Sequence, residues 1–364
     1  MLLTPLFLLV MSPPATLESP TSAEFCGRCH QAILEAWKLS AHAHAMESRL
    51  FQDALEVAET GFGAPARRTC LKCHAPVAVD KDDLSLHQKV SWEGITCDYC
   101  HSVKDVSLGG GNPRAVVEFS QVKHGPIKDA PAMIHGTAYS AVHTSAAICA
   151  PCHEYRNTLG FAVLTTYSEW KKSQYAKDGR ACQSCHMYRT AGDVVDPRVM
   201  QSNVAVNLHQ MPGSHSLEQL TKTISAQLSA SRDGDQVRVQ VLVTNRAAGH
   251  YVPTGSPLRQ LILDVEADSY AGKHFQEHRI YRRQVADGTG KPIEQEHLAF
   301  ISAAKLLEDT RLAPDEKRTE SFSFAIPAGS QTKVTATLRY FYSPFARTES
   351  QKSVTFLSMS RLVP

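Results

Sequence analysis

The sequence lacks the long apolar stretches that membrane-spanning helices need. Its apolar run from Met1 to Met11 falls short of the ~20 residues a bilayer takes, and no later segment reads as a span. Excess charge is missing as well. The 38 Lys and Arg against 36 Asp and Glu give a formal net charge of +2, which offers no footing for nucleic acid. From Ser216 to Pro364 there is no cysteine, and only four of the 17 histidines (His250, His274, His278 and His297) fall there. That absence marks a compositional boundary. No cysteine is left over elsewhere, because all ten sit in one recurring pattern.

The pattern is a pentapeptide, C-x-x-C-H, present five times: Cys26 to His30, Cys70 to His74, Cys97 to His101, Cys149 to His153 and Cys182 to His186. Two thiols at this spacing each form a thioether to one vinyl group of the same haem. The histidine that follows is held beneath the iron. Disulfide frameworks and zinc sites also use paired cysteines, but neither requires histidine at one fixed offset. With 17 His in 364 residues, five such histidines would arise by chance on the order of a few times in ten million. The expected cofactors are therefore five haem c groups. Cys26, Cys29, Cys70, Cys73, Cys97, Cys100, Cys149, Cys152, Cys182 and Cys185 are the attachment points. His30, His74, His101, His153 and His186 are the proximal ligands.

The expected organisation is a signal peptide over 1–19, a pentahaem domain over 20–216 and a β-sandwich over 217–364. The leader has an apolar core but neither the usual basic n-region nor a clear small-residue cleavage site. Haem attachment points the same way, to a periplasmic or otherwise exported location. With fewer than ~40 residues per haem, the first domain cannot build an ordinary side-chain core. It should have short helices, many loops and little or no sheet, with the macrocycles as its core. A helix is predicted from Phe25 past His44, and an amphipathic one over Tyr167 to Lys177. Beyond Lys222 the period changes to two, at Ile224–Leu228, Val237–Val243, Leu261–Val265, Glu320–Ile326 and Val334–Tyr342. Asp-Gly and Pro-Ala-Gly turns separate these runs, so an antiparallel sandwich of immunoglobulin-like architecture is predicted. The fold class is α+β multidomain, mainly helical and loop-rich first, then β.

A haem that only carries electrons needs a sixth ligand, whereas one that binds substrate leaves that face open. Eight histidines outside the motifs precede residue 216: His42, His44, His87, His124, His135, His143, His209 and His215. His42 and His44, two apart on a helix, point in different directions. Met46, Met133, Met187 and Met211 lie near the ligand segments, with packing as their ordinary use. His250, in Gly249-His250-Tyr251-Val252-Pro253-Thr254-Gly255, is either a histidine fixing its turn or a ligand or hydrogen-bonding partner to the haem region. His274, His278 and His297 are assigned no role.

Cys26 to His30 followed by Trp37, Ser40 and His42, the block Thr96 to His101, His143-Thr144-Ser145 before Cys149, Thr166 to Ser173 before Cys182, and His209 to His215 together resemble multihaem cytochromes of the cytochrome c-554 family. The resemblance spans roughly Ala23 to Ser216. It implies a helical haem-packing scaffold, export and electron transfer. It also implies distal roles for His42, His135, His143, His209 and His215, with His44, His124 and His250 behind them. The family's best-known member has four haems, one without a distal ligand, so ligand pairing does not transfer. The superfamily also includes hydroxylamine-oxidising and nitrite-reducing enzymes. Those with lysine as the proximal ligand do not fit, since all five motifs end in His.

The functional expectation is a cytochrome relaying electrons between redox proteins, such as other cytochromes or a quinol-oxidising or terminal reductase complex of a respiratory chain. The alternative is an oxidoreductase with one five-coordinate haem acting on a small nitrogen or sulfur oxyanion. Tyr139, Tyr155, Lys123 and Arg156 are candidates to line such a pocket, and no catalytic residue is singled out.

Overall fold

The computed structural model describes residues 20–200, 204–344 and 348–364; the expected leader at 1–19 lies outside them. No described helix is long and apolar enough to cross a membrane.

The first part is a string of short helices closed by polar caps and glycines. Ser48 accepts from the Phe51 amide at 3.4 Å to start the helix Arg49–Phe62, and Gly63, at φ 71°, ends it. The next helix, Ala64–His74, has proline in its first turn and carries the second motif. Apolar packing here is thin. Met46, Leu55, Leu71, Ala75, Ala78 and Leu86 form one cluster, and Ala23, Leu34, Trp37 and Ala43 another.

Two expectations change in detail. The helix predicted over Tyr167 to Lys177 is two pieces, Thr166–Lys172 and Gln174–Lys177. They break at Ser173, whose backbone is extended and whose hydroxyl donates to the Trp170 carbonyl at 2.7 Å, competing with the helix ladder. The segment from Phe25 likewise gives Ala23–Gly27 and Gln31–Lys38, followed by turns. Among its described residues the haem region also holds four two-stranded ribbons, including Val103–Ser107 with Arg114–Val117 and Arg189–Gly192 with Val204–Asn207. Where helices are this short, loop backbone must find its hydrogen bonds in ribbons.

The second part is an antiparallel sandwich. Its strands are β1 (Ile224–Asp233), β2 (Gln236–Asn245), β3 (Gln260–Ser269), β4 (His274–Ala286), β5 (Lys305–Asp309), β6 (Lys317–Ala325), β7 (Thr332–Phe341) and β8 (Ser353–Val363). One sheet has the order β6-β2-β1 and the other β5-β4-β3-β7-β8. Alternation decides which side faces in: Val237, Val239, Val241 and Val243 on β2 meet Leu261, Leu263 and Val265 on β3 and Leu338 on β7, all essentially buried. Each such side chain contributes about 1.5–3 kcal/mol on burial. This rigid block places two features against the haem region, the loop 246–259 between β2 and β3, and the helix Glu296–Ile301 between β4 and β5.

Candidate haem centres

Each motif ends on a helical turn, at Ala64–His74, Cys97–His101, Ala150–His153 and Gln183–His186, while the first runs out of the helix Ala23–Gly27. A turn puts both cysteines on one side, with the histidine beside them. Thr96 starts the third by accepting from the Tyr99 amide at 3.1 Å. All ten cysteines are free and half-buried. Burial pushes the Cys70 and Cys100 thiols up to about 11, an apolar setting that suits an uncharged thioether and opposes the thiolates zinc requires. Among the described residues no group of three or more His, Cys, Asp or Glu is arranged to hold a metal ion.

The cysteines and motif histidines face one connected cavity of about 2140 Å³. That exceeds the ~300–1,000 Å³ of a pocket for a single small molecule. All ten cysteines and all five motif histidines line it. Four of those histidines also have their outer nitrogen fixed. Nδ1 of His30 donates to the Val194 carbonyl (2.7 Å), His101 to His124 (2.6 Å), His186 to Pro212 (2.6 Å) and His74 to Ala45 (3.3 Å). A carbonyl only accepts, so the proton sits on Nδ1 and Nε2 keeps its lone pair for a metal. Burial also holds the His74 and His153 rings neutral, bringing them to about 4 and about 3.

The remaining imidazoles divide by distance. Two metal–imidazole bonds of about 2 Å, plus about 1.1 Å from each nitrogen to its ring centre, separate ring centres across a metal by about 6.2 Å. His30 and His135 lie 6.2 Å apart; His153 and His42, His101 and His209, and His186 and His250 each lie 6.3 Å apart. In three of the outer partners Nδ1 donates to a backbone carbonyl: His135 to Gly136, His209 to Asn207 and His250 to Tyr251, at 2.7–2.9 Å. His42 instead donates to the Met211 thioether at 2.9 Å. Burial brings His42 and His209 to about 4.

His143 and His215 stand elsewhere. The His143 ring stacks on His101 at 5.6 Å with Nε2 donating to the Cys100 carbonyl, so only its buried Nδ1 has no partner. His215 stacks on Tyr342 at 4.5 Å. His44 pairs with Glu47 on the surface, His87 is exposed beside Asp83, and His124 lends its carbonyl to His101. Met46 is buried in the Leu55 and Leu71 cluster, while Met133 is 79 % exposed. The four candidate pocket residues do not converge. Lys123 pairs with buried Asp98, Tyr139 lies under Lys128, and Arg156 reaches the Gly160 carbonyl. Tyr155 stacks on Phe300 of the sandwich at 6.1 Å.

The sandwich is tied to the haem region beside His250. Buried Glu169, on the helix Thr166–Lys172, accepts from Arg311 (2.7 Å), the Thr165 and Thr254 hydroxyls (2.6 and 2.9 Å) and the Tyr251 amide (3.2 Å). Asp309 takes Arg311 on its other edge. Gly249 completes the approach, since a Cβ there would lie 3.0 Å from the Tyr175 ring. Sequence reasoning read His250 as a turn or a contact residue. It passed over Glu169 and Arg311, whose only signal is charge within otherwise ordinary segments.

Residues 25–102, which contain the first three motifs, match the family described as cytochrome c554 and c-prime. No curated protein matches the chain. A solved penta-haem cytochrome c552 from Thermochromatium tepidum shares 22% identity, covering 94% of this chain and 98% of that one at a TM-score of 0.76. The CARDB domain of a Pyrococcus furiosus protein, solved with di-metal ions, covers 39% of this chain at 13% identity and a TM-score of 0.19, too low to argue from. The chain thus has the fold of a penta-haem cytochrome c552, and its segment 25–102 is similar to cytochrome c554 and c-prime.

Proposed function

We propose that the protein is an electron-transfer cytochrome, an exported five-haem relay between redox proteins, with its haem domain over 20–216 and its sandwich over 217–364. The observation that carries the reading is the set of four imidazole pairs at 6.2–6.3 Å. His30 with His135, His101 with His209, His153 with His42, and His186 with His250 would each hold one iron. When bound, haem supplies reversible one-electron chemistry, and paired imidazoles hold its potential low.

The chain's own part is spacing. The Cys26 and Cys97 thiols lie close enough to perturb one another's ionisation, as do Cys73 with Cys152 and Cys149 with Cys182. Cys100 lies within electrostatic reach of both Cys149 and Cys152. The fourth motif thus neighbours the second, third and fifth, and the first reaches it through the third. This is a branched relay centred on Cys149 to His153.

One observation favours the second reading, an oxidoreductase. His74 has Phe51 stacked on it at 3.7 Å and no imidazole at bridging distance among the described residues. Mass spectrometry of the purified protein and EPR of its ferric state test both readings. Five thioether-bound haems, four low-spin and one high-spin, are expected. Fewer than five haems would refute the relay, and five low-spin signals would refute an open iron.

A further inference from the structure

The compartment of the second motif is walled in part by the sandwich. The helix Glu296–Ile301 packs into it, where Phe300 stacks on Tyr155 and Tyr155 lies within electrostatic reach of Cys70 and Cys73. Glu296 is one turn from Phe300, on the same face of the helix, and both line the cavity. The Glu296 carboxyl is held by Ser256, while its Oε2 is buried with no partner in the protein. The neighbouring His297 is 6% exposed, and its Nδ1 is likewise buried and unpartnered. Arg259 lies within reach of Glu296, His74 and His153, its Nη1 donating to the Thr254 carbonyl at 3.4 Å.

Buried polar atoms are nearly always hydrogen-bonded, so two of them near a half-buried guanidinium call for a polar occupant. Four motif histidines face an imidazole, and the fifth, His74, has the Arg259 guanidinium within electrostatic reach instead. We propose that Arg259, Glu296 and His297 form the recognition pocket for a small anion held at the open iron face of the haem carried by Cys70 and Cys73. The inference rests on the five-haem reading above. Arg259 supplies the countercharge, and Glu296 Oε2 and His297 Nδ1 supply the hydrogen-bonding ends. Burial raises the Glu296 carboxyl from its ordinary value, which eases its protonation beside an anion. All three residues come from the sandwich, which on this account builds a binding site as well as supplying His250.

The test is anion binding to the full-length holoprotein, with azide as probe, read as loss of the high-spin ferric signal. Arg259→Gln should weaken azide by about tenfold or more, the loss of one charge-assisted hydrogen bond. Carbon monoxide, a neutral ligand of the ferrous protein, should bind unchanged. Glu296→Ala should weaken azide similarly, and Glu296→Gln, whose amide still donates, should restore most of the affinity. An Arg259 that only neutralises a haem propionate would leave azide binding intact and shift a midpoint potential, and that result overturns the proposal. So does equal loss of azide and carbon monoxide, which would mean general damage to the site. Haem content is measured on the same samples. A protein lacking haem at Cys70 and Cys73 refutes the five-haem reading together with this pocket, whereas five haems with unaltered azide affinity refute the pocket alone.

Discussion

Glu169→Ala removes four acceptor contacts at once, to Arg311, Thr165, Thr254 and the Tyr251 amide. Taking one partner from a buried ion pair costs ~3–5 kcal/mol, because the remaining charge is stranded. Here Asp309 still holds Arg311 through two hydrogen bonds of 2.8 Å, so the lower end, about 3 kcal/mol, is expected. That is roughly a 150-fold change in an equilibrium constant. The loss is directed, since Glu169 holds Tyr251 and Thr254 and His250 precedes them directly. The urea midpoint should fall, and one low-spin ferric signal should turn high-spin as His250 leaves the haem of Cys182 and Cys185. Glu169→Gln should show the same effects more weakly, since its one oxygen still accepts. An unchanged midpoint and an unchanged EPR spectrum in the Ala variant would refute the latch. A lower midpoint with all low-spin signals retained would uphold the ion pair and refute its link to His250.

Other perturbations follow from the same geometry. Gly94 has φ 69°, and a Cβ there would lie 2.3 Å from the His42 carbonyl oxygen; Gly94→Ala should cost at least ~1–3 kcal/mol, seen as a lower melting temperature, and an unaltered melt would contradict the crowding. His209→Ala should convert one low-spin haem to high-spin, whereas His87→Ala, at an 82 % exposed side chain, should convert none; equal EPR spectra for the two variants would sink the pairing by distance. Acid should destabilise the protein: His42, His74 and His209 are lowered to about 4, below the ~6.5 of an unfolded chain. The unfolded chain therefore takes up protons first as pH falls, and stability present above about 6.5 declines towards about 4. Urea midpoints across that range check this, and a midpoint that rises on acidification would be incompatible with buried neutral imidazoles.

The repeating pentapeptide made the attachment points legible, because thioether chemistry fixes its spacing within five residues. Strand alternation did the same for β1, β2, β3, β6 and β7. The run that forms β4, His274 to Ala286, escaped because its apolar inward positions, Phe275, Tyr281 and Val285, are interrupted by Glu277, Arg279 and Arg283 on the same face. β8, with exposed Leu362 and scattered serines, escaped for the same reason. Which imidazole faces which motif was not legible at all. His42 meets His153, and His250 crosses from the sandwich to His186. Such pairings depend on how the loops fold back, which no local period encodes. Arg259, Glu296 and His297 carried no sequence signal, since one charged residue beside a strand and a Glu-His pair on a short helix are ordinary surface patterns.

The closeness of thiols from different motifs also bears on how the chain is made. Cys26 lies near Cys97, Cys73 near Cys152, and Cys149 near Cys182, each pair drawn from two different motifs. A polypeptide that reached this arrangement with bare thiols under oxidising conditions would have three sites poised for cross-links between motifs. Each cross-link would consume one thiol from each of two attachment sites. Attachment that runs ahead of compaction, with each site capped before its neighbour arrives, avoids such cross-links. Crowding that shortens the path for an electron thus favours an order of maturation.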